Sequence, residues 1–496
     1  MAMGTCSFRS ARARPGRGWS MAHRSGDRLG SEAFGYRPVC GAAASATGET
    51  MTDTATTEST DELLDELADW LATRWDPDLT VGAWWERLGL AGWSAPTLPR
   101  HAFGKGVPRN DGIRIAQAIA DFGALGAPNG LGLLLAAPTI ATHGTQEQID
   151  RYVRDIVTGR QSWCQLFSEP SAGSDLAGLQ TRAVRDGDEW IVNGQKVWTS
   201  NGQKADMGML LARTDPDVPK HQGITYFALA MVQPGVEVRP LREMTGRALF
   251  NEVFLTDARV PADAVVGEVG QGWAAANTTL ANERAGLGSG GGNGAGGVAV
   301  PGTVGGDLER RAGAFVGPVA SRRGEGADSG ESTMLQAMRG GSGLLVGLAR
   351  RNGKHTEPGI RQGLARLYTW GELGRMNGLR LKAAKEAGGD IPGMPNISKL
   401  SMSHIMRLSR DLGLAIAGAS GMLHAYDSEG RAAVARATDE PSLPIVTEMA
   451  LLAQAPPIYG GTDQIQRNII GERVLGLPKE PNSDRTTPFS ELPKNV

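Results

Sequence analysis

Two stretches of the chain concentrate side chains able to do chemistry. The first runs from Trp163 to Asp206, WCQLFSEPSAGSDLAGLQTRAVRDGDEWIVNGQKVWTSNGQKAD. It places Leu166, Phe167 and Ser168 ahead of a glycine-containing turn with Ser174, and ends on Trp198, Thr199 and Ser200. Backbone groups and a hydroxyl at one end, with an indole face and further hydroxyls at the other, suit a flat ligand that has apolar faces and a polar edge. The second stretch, IYGGTDQIQRNIIGERVLGLP, runs from Ile458 to Pro478 and follows Gly460 and Gly461 with Thr462, Asp463 and Gln464. Asp463 reads as the cap of a last helix, where an acidic residue suits the helix dipole. Between the two, LANERAGLG sets the carboxylate of Glu283 beside Arg284. Taken singly, each Ser, Gly or Pro is an ordinary turn residue, Trp198 an ordinary core residue and Glu283 a solvated helix-surface carboxylate. The order in which they occur carries the signal.

Elements must position these residues, and the hydrophobic pattern indicates which. Leu63, Leu64, Leu67 and Leu71 recur at helical spacing, and amphipathic segments follow at Ile113–Phe122 and 146–157. The texture changes near Trp163. AVRDGDEWIVNGQKVWTS alternates on either side of Asp186-Gly187, which predicts a hairpin, and β-rich runs follow at Met209–Ala212, Ile224–Met231 and Glu252–Leu255. Helical periodicity returns at Trp273, at Ile360–Leu364–Leu367, and best of all at Ile397–Leu400–Ile405–Leu408–Leu412–Ile416, with a final helix over 464–475. Helices, then strands, then helices predict an α+β fold with segregated layers. The expected divisions are 1–50 as a disordered extension ahead of Met51, 51–162 helical, 163–272 β, 273–480 helical and 481–496 a tail. A glycine-rich insertion at about 287–345 is expected to be flexible; its glycines lack the preceding strand and the lysine of a phosphate loop.

Composition excludes several classes. The net charge of −2 gives no electrostatic reason for a nucleic-acid or membrane partner, and no apolar run is long enough to span a bilayer. Cys6, Cys40 and Cys164 are far apart, and His101, His143, His221, His355, His404 and His424 are scattered, so no metal site is expected and a reduced, cytoplasmic compartment is the default.

The Trp163–Asp206 segment resembles the central β-domain signature of the acyl-CoA dehydrogenase family, with its SEP-x-AGSD turn and W-T-S-N-G strand. Asn251–Pro261, NEVFLTDARVP, resembles the strand leaving that domain, and Ile458–Pro478 resembles the family's C-terminal signature. The resemblance covers about Asp61 to Pro478 outside the insertion. It implies three domains, a helical one, a β one and a helical bundle of four-helix type, and it implies FAD as cofactor. Leu166, Phe167, Ser168, Trp198, Thr199, Ser200, Arg284, Thr462 and Gln464 match cofactor-binding positions, and Ser174 and Gly460 match positions facing the acyl-CoA thioester. The family reaction takes a proton from Cα while hydride leaves Cβ for flavin N5, so it needs a desolvated carboxylate.

In many members that carboxylate lies in the C-terminal motif, where this chain has Gly460. In others it precedes an Arg on the helix after the β-domain, which matches Glu283 and Arg284. The family's Arg-x-x-Phe-Gly element is not recognisable near HTEPGIRQ at His355–Gln362, and its glycine-rich cofactor turn is replaced by AGASGML at Ala417–Leu423. The implied activity is α,β-dehydrogenation of an acyl-CoA, with electrons passing to electron-transferring flavoprotein and the chain forming a homodimer, a homotetramer or a hetero-oligomer. A catalytically incomplete subunit and a flavin oxidase or monooxygenase on the same fold are the other two readings.

Overall fold

The computed structural model describes residues 60–288, 299–316, 343–479, 481 and 484–493. The expected extension at 1–50 lies outside the described residues. The helical spacing of leucines is realised in α1 (Thr60–Arg74), where Leu63, Leu67 and Leu71 are buried. They meet Val81, Trp84, Trp85 and Leu88 of α2 (Val81–Leu90) and Ile115 and Ile119 of α3 (Arg109–Phe122) in one apolar cluster. Thr80 caps α2 by accepting from the Ala83 N–H at 3.1 Å, while Gly123, at φ 84°, ends α3 in the left-handed conformation that glycine adopts without steric cost. A further short helix, α4 (Ala137–His143), and the predicted segment over 146–157, helical throughout with a π turn at Ile149–Val153, complete this part of the chain before the strands begin.

Seven strands form one sheet: β1 (Trp163–Leu166), β2 (Arg182–Asp186), β3 (Glu189–Ser200), β4 (Met207–Arg213), β5 (Ile224–Ala230), β6 (Val236–Leu241) and β7 (Phe250–Pro261). The order across the sheet is β1-β4-β2-β3-β7-β6, with β5 on the other side of β4. The predicted hairpin is β2–β3, closed through Gly187 at φ 62° with Asp186 opposite Glu189. Two short strands, β1 and β6, are not among the predicted β-rich runs: β1 runs parallel to β4, and β6 is an edge strand with no fully buried residue. The sheet's apolar residues join those of α4 and its neighbours in the largest core cluster.

Beyond the sheet lie α5 (Gly272–Gly288), α6 (Pro358–Glu386), α7 (Met394–Ala417), α8 (Ser428–Thr438), α9 (Leu443–Leu452) and α10 (Asp463–Ile469), the last continued by a π turn at Ile470–Val474. A third cluster unites Leu412 and Ile416 of α7 with Val446 and Met449 of α9. The helix–sheet–helix order is that of an α+β fold.

Residues 299–316 depart from expectation. They fall within the insertion predicted to be flexible, yet they pack onto the first helical layer. Ala299, Ala312 and Phe315 enter its apolar cluster, and α2 donates from Val81 and Gly82 to the Arg310 and Leu308 carbonyls. Apolar anchors on either side of the Asp307 turn supply the burial that the glycine count concealed.

Candidate functional site

β1 delivers Leu166 into the core and ends at Phe167 and Ser168. Phe167 is buried edge-on to Tyr226, with centroids 6.1 Å apart. The Ser168 carbonyl accepts from the Val197 N–H at 3.0 Å, which brings this stretch against the end of β3. There the β3–β7 register slips between Lys196 and Thr199, and Trp198 takes φ 62°. A left-handed tryptophan is uncommon, since its Cβ crowds the backbone. The slip turns the Trp198 indole outward, 58% exposed, with an edge contact to Phe250. Thr199 beside it is fully buried, and its Oγ1 has no hydrogen-bond partner among the described residues. Ser200 closes the strand opposite Phe250. An exposed aromatic face next to an unsatisfied hydroxyl fits a flat ligand with a polar edge.

Beneath this stretch is an ion pair that inspection of the sequence missed. Lys196, fully buried, donates to Glu169 Oε1 at 2.8 Å and to the Phe167 carbonyl at 3.1 Å. Glu169 also accepts from the Gln180 and Thr181 N–H groups at 2.7 and 2.9 Å. Burial pushes the Glu169 carboxyl up, but Lys196 and these donors outweigh it and hold the group below its ordinary range. Only the lysine's place on an alternating strand, where it points inward, signalled the pair.

Glu283 lies on α5, half-buried, and accepts from Gln165 Nε2 at 3.4 Å. Gln165 belongs to β1, one residue before Leu166, so the carboxylate is tied to the strand that carries the 166–168 stretch. Burial pushes the Glu283 carboxyl above its usual pKa, opposed by Gln165 and by the charge of Arg284. α5 is held by a 2.8 Å hydrogen bond between the Thr279 and Thr139 hydroxyls. Arg284 is half-buried, and burial lowers its pKa; Arg473, after α10, is near enough to lower it further. The π turn at Ile470–Val474 is therefore within electrostatic reach of α5.

In the turn before α10, Gly460 and Gly461 take φ 61° and 81°, and the Gly460 carbonyl accepts from Gln466 Nε2 at 2.9 Å. Thr462, not Asp463, caps the helix, accepting from the Ile465 N–H at 3.1 Å. Asp463 is instead buried and accepts from Arg407 at 2.9 Å, a partner on α7 that local sequence could not reveal. Gln464 is exposed. Ser174 sits in an exposed bend between β1 and β2. The structure thus joins Phe167 and Ser168 to Trp198 and Thr199, and Glu283 to β1.

Among the described residues no group of three or more His, Cys, Asp or Glu could hold a metal, and no helix is long and apolar enough to cross a membrane. Cys164 is buried, its thiol pushed up to about 12, and so is inert as a nucleophile.

Three family patterns match in order: the acyl-CoA dehydrogenase N-terminal domain over 45–160, the middle domain over 164–258 and the C-terminal domain over 333–475. The chain is 35% identical to acyl-CoA dehydrogenase IpdE1 of Mycobacterium tuberculosis over 400 residues, 80% of this chain and 88% of that one. It is 61% identical to acyl-CoA dehydrogenase FadE34 of the same organism over 155 residues, which span 31% of this chain and 22% of that longer relative. Among solved structures, the Tcur3481-Tcur3483 steroid ACAD aligns with TM-score 0.58 at 25% identity, covering 85% of this chain and 98% of that one. The ChsE4-ChsE5 complex from Mycobacterium tuberculosis aligns with TM-score 0.56 at 25% identity, covering 86% and 100%. With all three domain patterns in sequence and a relative of this identity matched over most of its length, the chain belongs to the acyl-CoA dehydrogenase family of FAD-dependent oxidoreductases.

Proposed function

We propose that Glu283 is the base that takes the Cα proton of an acyl-CoA thioester, giving the enoyl-CoA as hydride leaves Cβ. The observation that carries this reading is the position of Glu283, desolvated on α5 and hydrogen-bonded to Gln165 immediately before the Leu166–Ser168 stretch. An α-proton of a thioester is weakly acidic, and a carboxylate raised in pKa by burial is a stronger base towards it. Gly460 has no side chain to do this work, but its backbone N–H, with the Ser174 hydroxyl, is suited to hold the thioester carbonyl as it becomes enolate-like.

The residues fit FAD: the outward Trp198 face and the unpartnered Thr199 hydroxyl suit its ring, beside Leu166, Phe167, Ser168 and Ser200. Arg284, Thr462 and Gln464 are assigned to the same cofactor from the C-terminal side. FAD, when bound, supplies the acceptor for the departing hydride. Electrons then pass to electron-transferring flavoprotein. What the chain's own residues contribute is a partly desolvated carboxylate, an aromatic wall and donors for the carbonyl.

The structural neighbours include a steroid ACAD and a complex of two named chains, which favours a steroid-derived acyl group and a hetero-oligomer as the forms to try first. Anaerobic absorption spectra of the flavoprotein, with butyryl-, octanoyl- and palmitoyl-CoA and a steroid side-chain thioester, test the reading. At least one thioester bleaches the flavin, and Glu283→Gln stays yellow. Bleaching retained in Glu283→Gln would place the base elsewhere. A flavoprotein that no thioester bleaches until a second chain is added would favour the incomplete-subunit reading.

A further inference from the structure

The last described residues fold back onto the β4–β5 connection, whose cations hold the turn that carries Ser174. Phe489 is buried, its N–H donating to the Val218 carbonyl at 3.0 Å, while Ser490 N–H donates to the Pro216 carbonyl at 2.8 Å. The tail is thereby laid along the β4–β5 connection. Two cations of that region receive it. The Arg213 guanidinium lies 3.4 Å from the Phe489 ring centroid, a cation–π contact away from water. Lys220, almost wholly buried, donates to Asp484 Oδ2 at 2.6 Å.

Both cations also hold the segment around Ser174. Lys220 donates to Asp175 Oδ1 and Oδ2 at 2.9 and 3.1 Å. Arg213 donates to the Ala177 carbonyl at 2.7 Å, to the Leu179 carbonyl at 3.2 Å and to the Lys220 carbonyl at 3.1 Å. Each tail anchor is thus one side chain removed from the backbone that presents Ser174. His221, next in the chain, stacks edge-on against Trp273 at the start of α5, with centroids 4.8 Å apart, so the same connection also touches the helix of Glu283.

A buried lysine with one carboxylate partner has rotamers to spare, whereas one shared between two has its ammonium fixed. An arginine donating to three carbonyls leaves its faces free, and Phe489 covers one of them. The pairing of β4 with β1 and β5 is made by strand residues alone, and the tail meets the connection beyond them.

We propose that Asp484 and Phe489 of the C-terminal tail are positioning residues for substrate, acting through Lys220 and Arg213 to fix the Ser174–Asp175 bend. The inference rests on the reading of Ser174 as a thioester contact. Removing the anchors loosens where the thioester is received, and flavin content reports separately on the cofactor side. Such misplacement acts on substrate capture, and about a 10-fold rise in KM is expected, with kcat changed less than about 2-fold.

The test compares Asp484→Ala, Phe489→Ala and Ser174→Ala in the full-length flavoprotein. The probe is the thioester of the panel above with the highest kcat/KM on the unmodified protein, and flavin content and melting temperature are recorded for each variant. A raised KM in both tail variants and in Ser174→Ala, with full flavin content, and recovery in Asp484→Glu, supports the proposal. A raised KM in Ser174→Ala alone overturns it while leaving the Ser174 reading intact. A raised KM in the tail variants with none in Ser174→Ala overturns the Ser174 reading and the route proposed here. A lower melting temperature with unchanged KM in the tail variants reduces the tail to a structural clasp and overturns the proposal. Should Phe489→Ala not fold, Phe489→Leu keeps the burial, removes the cation–π contact and is judged by the same outcomes.

Discussion

Gln165 donates its side-chain amide to Glu283 across 3.4 Å, joining the strand that leads to Phe167 and Ser168 with the helix that follows the sheet. A carboxylate that accepts this bond is favoured in its charged form, so Gln165 tempers the rise in pKa that burial imposes. The other charge facing Glu283 is its neighbour Arg284, itself repelled by Arg473. As a base, Glu283 works only when deprotonated. The rate of flavin reduction is therefore expected to climb with pH through a value above the ordinary carboxylate range. Gln165→Leu removes the donor and should move that ascending limb to higher pH, with the plateau nearly unchanged. Stopped-flow reduction across pH measures it, and a limb that stays in place in Gln165→Leu counts against the assignment.

The same raised pKa makes a statement about stability. A group whose folded pKa exceeds its unfolded one contributes stability below the unfolded value and loses it as pH rises through the folded value. Ionised Glu283 is thus a cost to the fold at pH 8 that is absent at pH 4. Glu283→Gln, neutral at every pH, should melt higher than the unmodified protein at pH 8 and show little or no advantage at pH 4. Calorimetry at the two pH values gives the comparison. An advantage independent of pH would mean that the carboxylate is not desolvated.

Lys196 and Glu169 make a different prediction, because they are paired. Lys196→Met leaves a buried carboxylate with two backbone donors and Arg213 as its remaining cation, a change that costs up to about 3–5 kcal/mol. Urea unfolding should show a loss of stability of that order, read as the midpoint shift multiplied by the m-value. It should also show a smaller one for Glu169→Gln, which keeps an acceptor facing Lys196. Since Lys196 also holds the Phe167 carbonyl, Lys196→Met is expected to release FAD before it unfolds. Losses in both variants no larger than the roughly 1 kcal/mol of a neutral hydrogen bond would indicate that the charge is not what matters there.

How far these relationships could be read in advance depended on their range. The leucine period of α1 and the Asp186-Gly187 hairpin are local patterns, and both occur as expected. The Thr462 cap was obscured because Asp463, one residue on, has the same local credentials, and what separates them is Arg407 on another helix. The packing of 299–316 was hidden by glycine density, since composition reports entropy and not the few anchors that outweigh it. Leu166–Ser168 and Trp198–Ser200 stood out because they lie in one stretch of sequence. Gln165 did not, because its partner is on α5, far along the chain.

Trp198 offers the most direct check on the flavin side. An indole more than half exposed contributes little to the core, and its left-handed backbone costs of order 1 kcal/mol that glycine at the same position would not incur. Trp198→Gly should therefore leave the apo-protein at least as stable as the unmodified chain. Losing an aromatic wall of this kind forgoes roughly 0.5–1.5 kcal/mol, or about a 2- to 12-fold weaker Kd for FAD. The two effects run in opposite directions, which separates a binding role from a packing one. Fluorescence titration of apo-protein with FAD, alongside its melting temperature, measures both. An unchanged Kd would remove Trp198 from the cofactor site, and a destabilised apo-protein would assign the indole to the fold.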